Sequence, residues 1–452
     1  MKKIFMAACV ALLSLAATAQ EAKQETEYRR SSLYTIMIPD EGLGEAKELV
    51  TGTFDTIPIP DKFNDHNLAV RSIDLSAITV TPEEVKAVSG SGKGMKKMLG
   101  GLLKGAGKAA ASAATGGAVS TQVNNDDEVV AKLLKYFKEN HVGNQLVAKW
   151  YNRSAEPVDG AYFNYNLIAE RGLYSASQEE LAAAKQTRGG EVKIMDAAAA
   201  DLIPRTFVMA TRYNYLSAEQ VIEMVTQGLG GAAGGAIGGA TALAGQALAK
   251  VLHGYFVTTS TYLFRLDWTP ELQAEFESKY MTATDLTAFD ESDAYQLKYV
   301  GKTKDFAPAT LKLTVKGDAA ERLIKRATVR ATDASIAKLQ RKHDEFKTLA
   351  TLHIDGDQLY AYIGKKEGVK SGDKYEVLEQ RLNEDGTIEM KRVGTIKVVK
   401  DKVWDNRFGA GENIEGAASG QEDNDTDPSL TYTLFDGNAK KLMEGMLIRQ
   451  IK

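Results

Sequence analysis

Apolar positions recur along the chain in two different periods, which together predict an α+β protein. Two long runs, Arg205–Tyr215 and Tyr255–Trp268, alternate apolar and polar residues in the manner of half-buried strands. Across Asp126–Trp150 the apolar residues instead recur at helical spacing, and a polar stretch beginning at Asn140 predicts a break into two helices. Asn125 has the chemistry of a residue that caps the first of these helices.

Shorter runs predict further elements. Leu33–Ile38 is a short, mostly apolar run that ends at Pro39, and two further runs, Ser72–Val80 and Phe306–Val315, are expected as strands. Two helices are expected to begin at prolines, Pro82 and Pro270, because a proline at the first helical position removes no hydrogen bond that the helix would use. Two more, Ala319–Arg326 and Asp333–Phe346, are expected as a connector, and its second helix would carry Ile336, Leu339, His343 and Phe346 on one side.

The pattern changes at Leu349, from which short strands alternate with turn signals such as Asp355-Gly356 and Asp385-Gly386. Regular spacing of this kind is typical of a small all-β barrel or sandwich. We therefore expect four parts: residues 1–19 as a signal peptide, 20–308 as a mixed α+β domain, 309–348 as a strand and helical connector, and 349–452 as a barrel-like β module whose last strand, Gly445–Arg449, completes the barrel.

The β module contains the pattern IGxxxGVKxGDxxxV, followed later by VGxIKV. The matching residues are Ile363, Gly364, Gly368, Val369, Lys370, Gly372, Asp373, Val377, Val393, Gly394, Ile396, Lys397 and Val398. This order resembles the small C-terminal β domain of the flagellar assembly protein T family and related domains of secretion-associated envelope proteins. The resemblance covers about the last quarter of the chain. It implies an envelope location and a binding or scaffolding role, and it brings no catalytic residues.

An uncharged insertion, Gly228–Leu248, lies between the two long strand runs. Its glycines recur four apart in two series, which are Gly230, Gly234 and Gly238, and Gly231, Gly235 and Gly239. On a helix this spacing makes a groove in which two backbones can approach closely, and about 20 apolar residues suffice to span a bilayer. Each Gly, however, weakens a helix by roughly 0.8–1 kcal/mol relative to Ala. A flexible or closely packed insertion, membrane contact and homo-oligomer formation all remain open.

A second insertion, Gly90–Gly117, has lysines as its only charges and an apolar stripe at helical spacing. The lysines are Lys93, Lys96, Lys97, Lys104 and Lys108. Basic amphipathic segments can lie on anionic membrane surfaces. A disordered loop rich in Gly, Ala and Lys is the equally open alternative.

The first residues have the composition of a signal peptide. Lys2 and Lys3 precede an apolar run, and small residues stand before Gln20, so we expect cleavage after Ala19 and export to the periplasm, the outer membrane or the medium. The one cysteine, Cys9, lies in this segment, so the mature chain would contain neither disulfides nor thiolate metal sites. The signal peptide and the general character of the sequence are similar to those of exported proteins of Bacteroidetes-type bacteria.

The charged residues, 56 basic and 60 acidic, are too evenly balanced to suggest nucleic acid as a partner. The sequence contains neither an HExxH metal motif nor a GxSxG nucleophile elbow. We therefore predict no catalytic residue, no metal and no cofactor. The expected protein is a non-enzymatic envelope component that acts in assembly, secretion support or membrane association by binding envelope proteins not yet identified. The alternative is a secreted hydrolase with a carboxylate site that carries no motif.

Overall fold

The computed structural model describes residues 31–40, 47–60, 62–91, 119–164, 202–217, 255–307, 318–382, 388–410 and 429–451. Within these residues the protein has seven α-helices, a mixed five-stranded sheet and a nearly closed, seven-stranded barrel-like sheet. The predicted α+β class with a barrel-like C-terminal module is therefore confirmed. The Gly228–Leu248 insertion, the signal peptide and the five lysines of the second insertion lie outside the described residues.

The first sheet has the strand order β2-β1-β3-β4-β5. Its strands are β1 (Ser31–Ile38), β2 (Phe63–Asp65), β3 (Thr206–Ser217), β4 (Tyr255–Leu266) and β5 (Leu297–Ala307). Strand β1 runs parallel to β2 and β3, whereas β3, β4 and β5 are antiparallel. Strands β3 and β4 correspond to the two long runs predicted from the sequence, and they are neighbours in the sheet.

Helices cover both faces of this sheet. They are α1 (Lys47–Thr56), α2 (Pro82–Ser91), α3 (Val119–Glu139), α4 (Val142–Trp150), α5 (Pro270–Lys279), α6 (Thr287–Asp290) and α7 (Asp318–Lys342). Single 3-10 turns lie at Ile203–Arg205, Asp344–Phe346, Lys365–Glu367 and Ala439–Lys441. Helices α3 and α4 pack on one face of the sheet, and α1 and α7 pack on the other.

Covering both faces changes the expected burial of the strands. The run Arg205–Tyr215 was predicted to be half-buried, but Thr206 through Thr211 are all buried. Val208 faces the α3 and α4 side, and Met209 faces α7. Three pairs of hydroxyl groups supply hydrogen bonds on the α7 side and within the sheet: Thr211 with Thr261, Tyr213 with Thr332, and Thr259 with Ser335. Their bonds satisfy polar groups that burial would otherwise leave without acceptors.

Two of the predicted strands are wrong or misplaced. In Ser72–Val80, Ser72 alone makes an isolated bridge, to Met37, and the remainder is loop. Asp74 accepts a hydrogen bond from the Ser76 backbone at 2.8 Å, a local turn that competes with strand pairing. The predicted strand Phe306–Val315 begins too late, because β5 starts at Leu297, and residues 308–317 lie outside the described part.

The two predicted connector helices are one helix, α7, followed by a short 3-10 turn that buries Phe346. Residues 327–332, which the prediction left between the two helices, include Thr328 and Thr332. In the folded chain their hydroxyls donate to the carbonyls of residues four positions earlier, and both side chains are buried against the sheet. Tertiary packing thus overrides their modest helix propensity.

The remaining helix predictions hold with one exception. Helices α2 and α5 begin at their prolines as expected, and Thr269 caps α5 by accepting from the Leu272 backbone. The break near Asn140 is present, since His141 adopts a left-handed conformation with φ 45° between α3 and α4. The Asn125 cap is wrong, because α3 already begins at Val119.

The second sheet has the order β6-β12-β9-β10-β11-β8-β7. Its strands are β6 (Ala350–Thr351), β7 (His353–Asp355), β8 (Gln358–Ala361), β9 (Lys374–Leu382), β10 (Ile388–Val398), β11 (Thr433–Asp436) and β12 (Leu447–Gln450). Strands β6 and β7 stand at opposite ends of this order, yet only Leu352 separates them in the chain. The segment 350–355 therefore pairs with β12 through its first half and with β8 through its second, which nearly closes the barrel.

Among the described residues, no helix combines the length and the apolar character needed to cross a membrane. The α7 helix instead stands between the two sheets. Its inner side contributes Ile336 and Leu339 to the apolar cluster under the first sheet. Its end reaches the barrel.

Candidate functional site

The contact between α7 and the barrel is close and partly ionic. Arg341, near the end of α7, donates to the carboxylate of Asp373 at 2.9 Å and also to the carbonyl of Gly368. Gly368 has φ 74°, and a Cβ added there would lie 2.9 Å from the Cβ of Ala337 on the helix. Arg330 donates to the Phe408 carbonyl at 2.9 Å. These contacts fix the barrel against the helix.

A cavity of about 470 Å³ lies beside this contact. We call it the junction cavity. The loop before β2 and the end of α7 supply Lys62 and Gln340, and the barrel supplies an aromatic and apolar wall. That wall comprises Ala350, Tyr362, Ile363, Tyr375, Trp404 and Ile448. A cavity of this size can hold a small ligand, and polar and charged side chains line it at least as much as apolar ones do.

Lys62 is the buried cation of the junction cavity. Its side chain is only 5% exposed, and its ammonium donates to the Gln340 side-chain carbonyl at 2.8 Å. The Gln340 amide nitrogen donates to Thr348 at 3.2 Å, which directs the carbonyl oxygen of Gln340 towards Lys62. Burial lowers the pKa of Lys62, an effect that the charge of Lys366 reinforces and the charges of Glu367 and Asp333 oppose.

Two carboxylates line the same cavity, and both are engaged by neighbouring groups. Asp405 accepts two hydrogen bonds from the Arg407 guanidinium, at 2.8 and 2.6 Å. Burial by itself would raise the pKa of Asp405, but the bonds and the charge of Arg407 together outweigh it and hold the pKa below its ordinary value. Glu367 accepts from the Gly364 backbone and from the Asn406 amide, each at 2.7 Å.

A cluster of four rings extends from the mouth of the cavity over β7, β8 and β11. We call it the aromatic patch, and its members are His353, Tyr360, Tyr362 and Tyr432. Tyr360 lies at the centre, with ring centroids 5.2 Å from His353 and 4.7 Å from Tyr432. Tyr362 is 38% exposed and also lines the junction cavity. The patch therefore adjoins, through Tyr362, the cavity that the buried Lys62 also lines.

A second concave surface carries Lys302, Lys304, Lys338, Arg341 and Lys342. Most of these cations already have protein partners. Lys302 and Lys304 bind the Asp126 carboxylate at 2.6 and 3.1 Å. Lys338 and Lys342 donate to backbone carbonyls of β5. The groove therefore joins α3, α7 and β5 to one another, and the carboxylates of Asp126, Asp305 and Asp373 offset part of its positive charge.

The structure brings part of the predicted β-module pattern to the junction. Ile363 lines the cavity, while Gly368 and Asp373 contact α7. Val369, Val377, Ile396 and Val398 lie in the barrel core. The predicted membrane or self-association glycines and the predicted basic surface lysines lie outside the described residues. Within the described part of the chain, no His, Cys, Asp and Glu side chains cluster in a way that could hold a metal ion.

The sequence analysis missed Lys62 and Gln340, the pair at the base of the cavity. They are 278 positions apart, and Lys62 stands alone between a proline-rich segment and a short strand. No local pattern marks either residue as functional. Lysine is rarely buried, so its burial is informative only after the fold is known.

Comparison with known proteins adds no family assignment. No protein-family model matches the chain, and a search of curated proteins finds no match. The functional argument therefore rests on the geometry of the junction cavity and the aromatic patch.

Proposed function

We propose that this is a non-enzymatic, exported cell-envelope protein that acts in assembly, secretion support or membrane association by binding a partner protein at the junction cavity and the aromatic patch. The observation that carries the proposal is their adjacency. A cavity formed jointly by the α7 end and the barrel opens beside four clustered rings, one of which, Tyr362, belongs to both.

The chemistry of this surface favours binding over reaction. Tyr and Trp are enriched at the centres of protein interfaces, where they add large rigid contact area with a polar group at one end. Here Tyr362 and Trp404 both line the junction cavity. Asp405 accepts three hydrogen bonds from Arg407, and Glu367 accepts two, an arrangement suited to shaping a surface.

The envelope location in the proposal is supported by two sequence features. The first 19 residues have the charge, apolar run and small residues of a signal peptide. The β module resembles domains of secretion-associated envelope proteins, and the resembling residues include Gly368 and Asp373 at the α7 contact. Membrane contact and homo-oligomer formation through Gly228–Leu248 belong to the same proposal.

Site-specific photocrosslinking in the producing cells tests the binding surface. Tyr362 would be replaced by p-benzoylphenylalanine, which keeps an aromatic ring at the site. The matched control places the same group at Val158, an apolar residue that is 65% exposed and distant in sequence. We expect one defined higher-mass adduct in the envelope fraction from position 362 and none from 158. Equal adducts at both positions, or none, would contradict the proposal.

Fractionation tests the membrane part of the proposal. Envelopes containing the intact protein, or a variant without Gly228–Leu248, would be washed with high salt and with alkaline carbonate. We expect the intact protein to resist washing and the deletion variant to be released. If both are recovered in the soluble periplasm or the medium, the segment has no membrane role.

The alternative function, a secreted hydrolase, rests on the presence of Asp405 and Glu367 in one cavity. Its test is a comparison of hydrolysis of glycoside and peptide substrates by the wild-type protein and by Asp405→Asn and Glu367→Gln. Activity that both substitutions abolish, while the variants stay folded, would establish it. Activity absent from the wild-type protein, or unchanged in the variants, would remove this alternative.

A further inference from the structure

We infer that the junction cavity binds a single carboxylate group at the Lys62 ammonium, with the apolar or aromatic body of the ligand lying against Trp404 and Tyr362. This inference rests on the proposed function, because it names the chemical group that a partner would present to the cavity. A free organic acid and the terminal carboxylate of a peptide share this chemistry.

The first argument is the hydrogen-bonding capacity of Lys62. An ammonium has three N–H donors, and among the described residues Gln340 is its one hydrogen-bond acceptor. No carboxylate of the described residues lies within ion-pair distance of it. The Lys62 side chain is only 5% exposed to solvent. A buried charge of this kind is costly unless it is paired, so an anion that enters the cavity gains a strong interaction.

The second argument is the balance of charge in the cavity wall. Of the lining cations, Arg407 is paired with Asp405, and Lys347 is paired with Asp344 at 2.7 Å. The other two lining cations are Lys62 and Lys366. The carboxylate of Glu367, which accepts hydrogen bonds from the Asn406 amide and the Gly364 backbone, offsets one of their two charges. The lining residues therefore keep one positive charge in excess, which a monoanion complements, and Asp333, outside the lining, offsets part of it at Lys62.

The third argument distinguishes a carboxylate from a phosphate. Phosphate sites commonly use several backbone N–H groups at the start of a helix or in a turn. The turn that lines this cavity is Lys365–Glu367, and its nearby backbone donors are already engaged. Gly364 donates to Glu367, and Lys366 donates to the Asn406 side chain at 2.8 Å. The Lys62 ammonium remains as the main donor, and a single ammonium suits the smaller charge of a carboxylate.

The shape of the cavity specifies the rest of the ligand. Trp404, Tyr362, Ile363 and Ile448 provide apolar wall on the barrel side, opposite the polar base formed by Lys62 and Gln340. A volume of about 470 Å³ accommodates a ring and a short chain together with the acid group. Arylalkyl acids and peptides that end in an aromatic residue fit this description.

Calorimetry with the full-length protein tests the inference, with 3-phenylpropionate as the probe and 3-phenylpropionamide as its uncharged match. We expect the acid to bind with one-to-one stoichiometry and the amide to bind at least about tenfold more weakly, a loss of about 1.4 kcal/mol. Lys62→Met should weaken acid binding by at least the same factor. Equal binding of acid and amide, unchanged binding by Lys62→Met, or no binding of the acid would overturn the inference.

Lys342→Met is the matched control. Lys342 is also a lysine whose pKa is lowered by burial, and it donates to a backbone carbonyl, but it lies in the groove next to β5. Its substitution should leave binding of 3-phenylpropionate unchanged. Equal losses in the two variants would show a general electrostatic effect and would overturn the inference.

A second measurement covers the case in which Lys62→Met does not fold. The ¹³Cε resonance of Lys62 in the wild-type protein, assigned by its absence from Lys62→Arg, would be followed during titration with 3-phenylpropionate. We expect a saturable shift that the amide does not produce. A resonance that responds equally to both compounds would contradict a carboxylate site.

Two further probes separate the sources of the carboxylate. The tripeptide Gly-Gly-Phe and its C-terminal amide would be compared with 3-phenylpropionate. Tighter binding of the tripeptide than of the small acid assigns a peptide end, and the reverse assigns a free acid. Crosslinking from position 362 in a protein whose Lys62 is intact, together with no binding of the acid by the wild-type protein, would reject the carboxylate site and leave the proposed function standing. Binding of the acid by the wild-type protein without any crosslinking from position 362 would reject the proposed function and leave the carboxylate site standing.

Discussion

Asp373 of the barrel and Arg341 of α7 form an ion pair at 2.9 Å that connects the two halves of the protein. The same oxygen of Asp373 also accepts from the Lys370 backbone at 2.9 Å and from the Gln450 side chain at 2.8 Å. One carboxylate oxygen therefore joins the helix, the turn before β9 and the last strand. These three elements border the junction cavity or contribute to it.

Asp373→Ala should lower the free energy of unfolding by about 2 kcal/mol, because hydrogen bonds to a charged group typically contribute about 1.5–3 kcal/mol and this group is partly exposed. Chemical denaturation followed by circular dichroism would measure the loss. Asp357→Ala, in the exposed turn between β7 and β8, is the control and should change stability by less than about 0.5 kcal/mol. Equal effects would contradict the special role of Asp373.

Gly368→Ala should destabilise the protein more than Gly356→Ala does. Both glycines have positive φ, 74° and 59°, so both substitutions incur the backbone cost of about 1–2 kcal/mol. Only at Gly368 does the added Cβ meet a neighbour, Ala337, at 2.9 Å, whereas Gly356 has no atom within 4 Å. Thermal unfolding of the two variants would compare them. A smaller loss for Gly368→Ala would show that the helix and barrel are not tightly apposed.

Lys62 should make stability depend on pH in the alkaline range. Its pKa is lowered in the folded state from the ordinary 10.5, so between the lowered pKa and 10.5 the unfolded chain binds the proton more tightly. The contribution of this group to the free energy of unfolding therefore rises as pH rises through that window. Relative to Lys62→Met, the wild-type protein should gain stability from neutral to alkaline pH. A difference between the two proteins that does not change with pH would contradict this prediction.

Asp126 should make stability depend on pH in the same direction, but in the acid range. Burial would raise its pKa, but hydrogen bonds from Lys302 and Tyr262 and the charge of Lys302 outweigh it, so the pKa lies below the ordinary 3.8. The stability that its ionised form contributes is present above pH 3.8 and is lost as pH falls through the folded-state pKa. Asp126→Asn should lose about 1–3 kcal/mol at pH 7 and should unfold with less dependence on acid pH.

The control for Asp126 is Tyr262→Phe, which removes the 2.8 Å hydrogen bond and keeps the carboxylate. It should cost about 1 kcal/mol and preserve the acid dependence of unfolding. Urea titrations between pH 3 and pH 7 would compare the two variants. If the free energy of unfolding depended on acid pH in the same way in both variants, ionisation of Asp126 would not be the cause of that dependence.

The sequence predicted those elements whose signals are local. The runs at β3 and β4 are long and alternate apolar with polar residues. The helix starts at Pro82 and Pro270 follow from the preference of proline for the first helical position, and the turn through Gly368 and Gly372 depends on residues that tolerate positive φ. The sequence did not predict that β3 is buried on both faces. The alternation of apolar and polar residues in one strand does not show whether helices cover one face of the sheet or both.

The parts that were missed depend on contacts between distant residues. Helix α7 is continuous because the first sheet buries Thr328 and Thr332, which lie between the two helices predicted from the sequence. Lys62 becomes informative only when α7 places Gln340 against it. Ser72–Val80 alternates like a strand, but Asp74 accepts a hydrogen bond from the Ser76 backbone and forms a local turn. This turn competes with the pairing that a strand would need.

The return of the barrel through Leu352 has a consequence for the timing of folding. Strand β12 pairs with β6 on one side and β9 on the other, and it supplies Gln450 to Asp373. Strand β6 is synthesised almost a hundred residues before β12, and strand β9 some seventy residues before it. Neither strand can complete its pairing until Leu447–Gln450 has been made. Until then the barrel can only be an open sheet with two unpaired borders, and the junction cavity, which includes Ile448, is incomplete. Competence to bind thus arises only after Leu447–Gln450 has been synthesised.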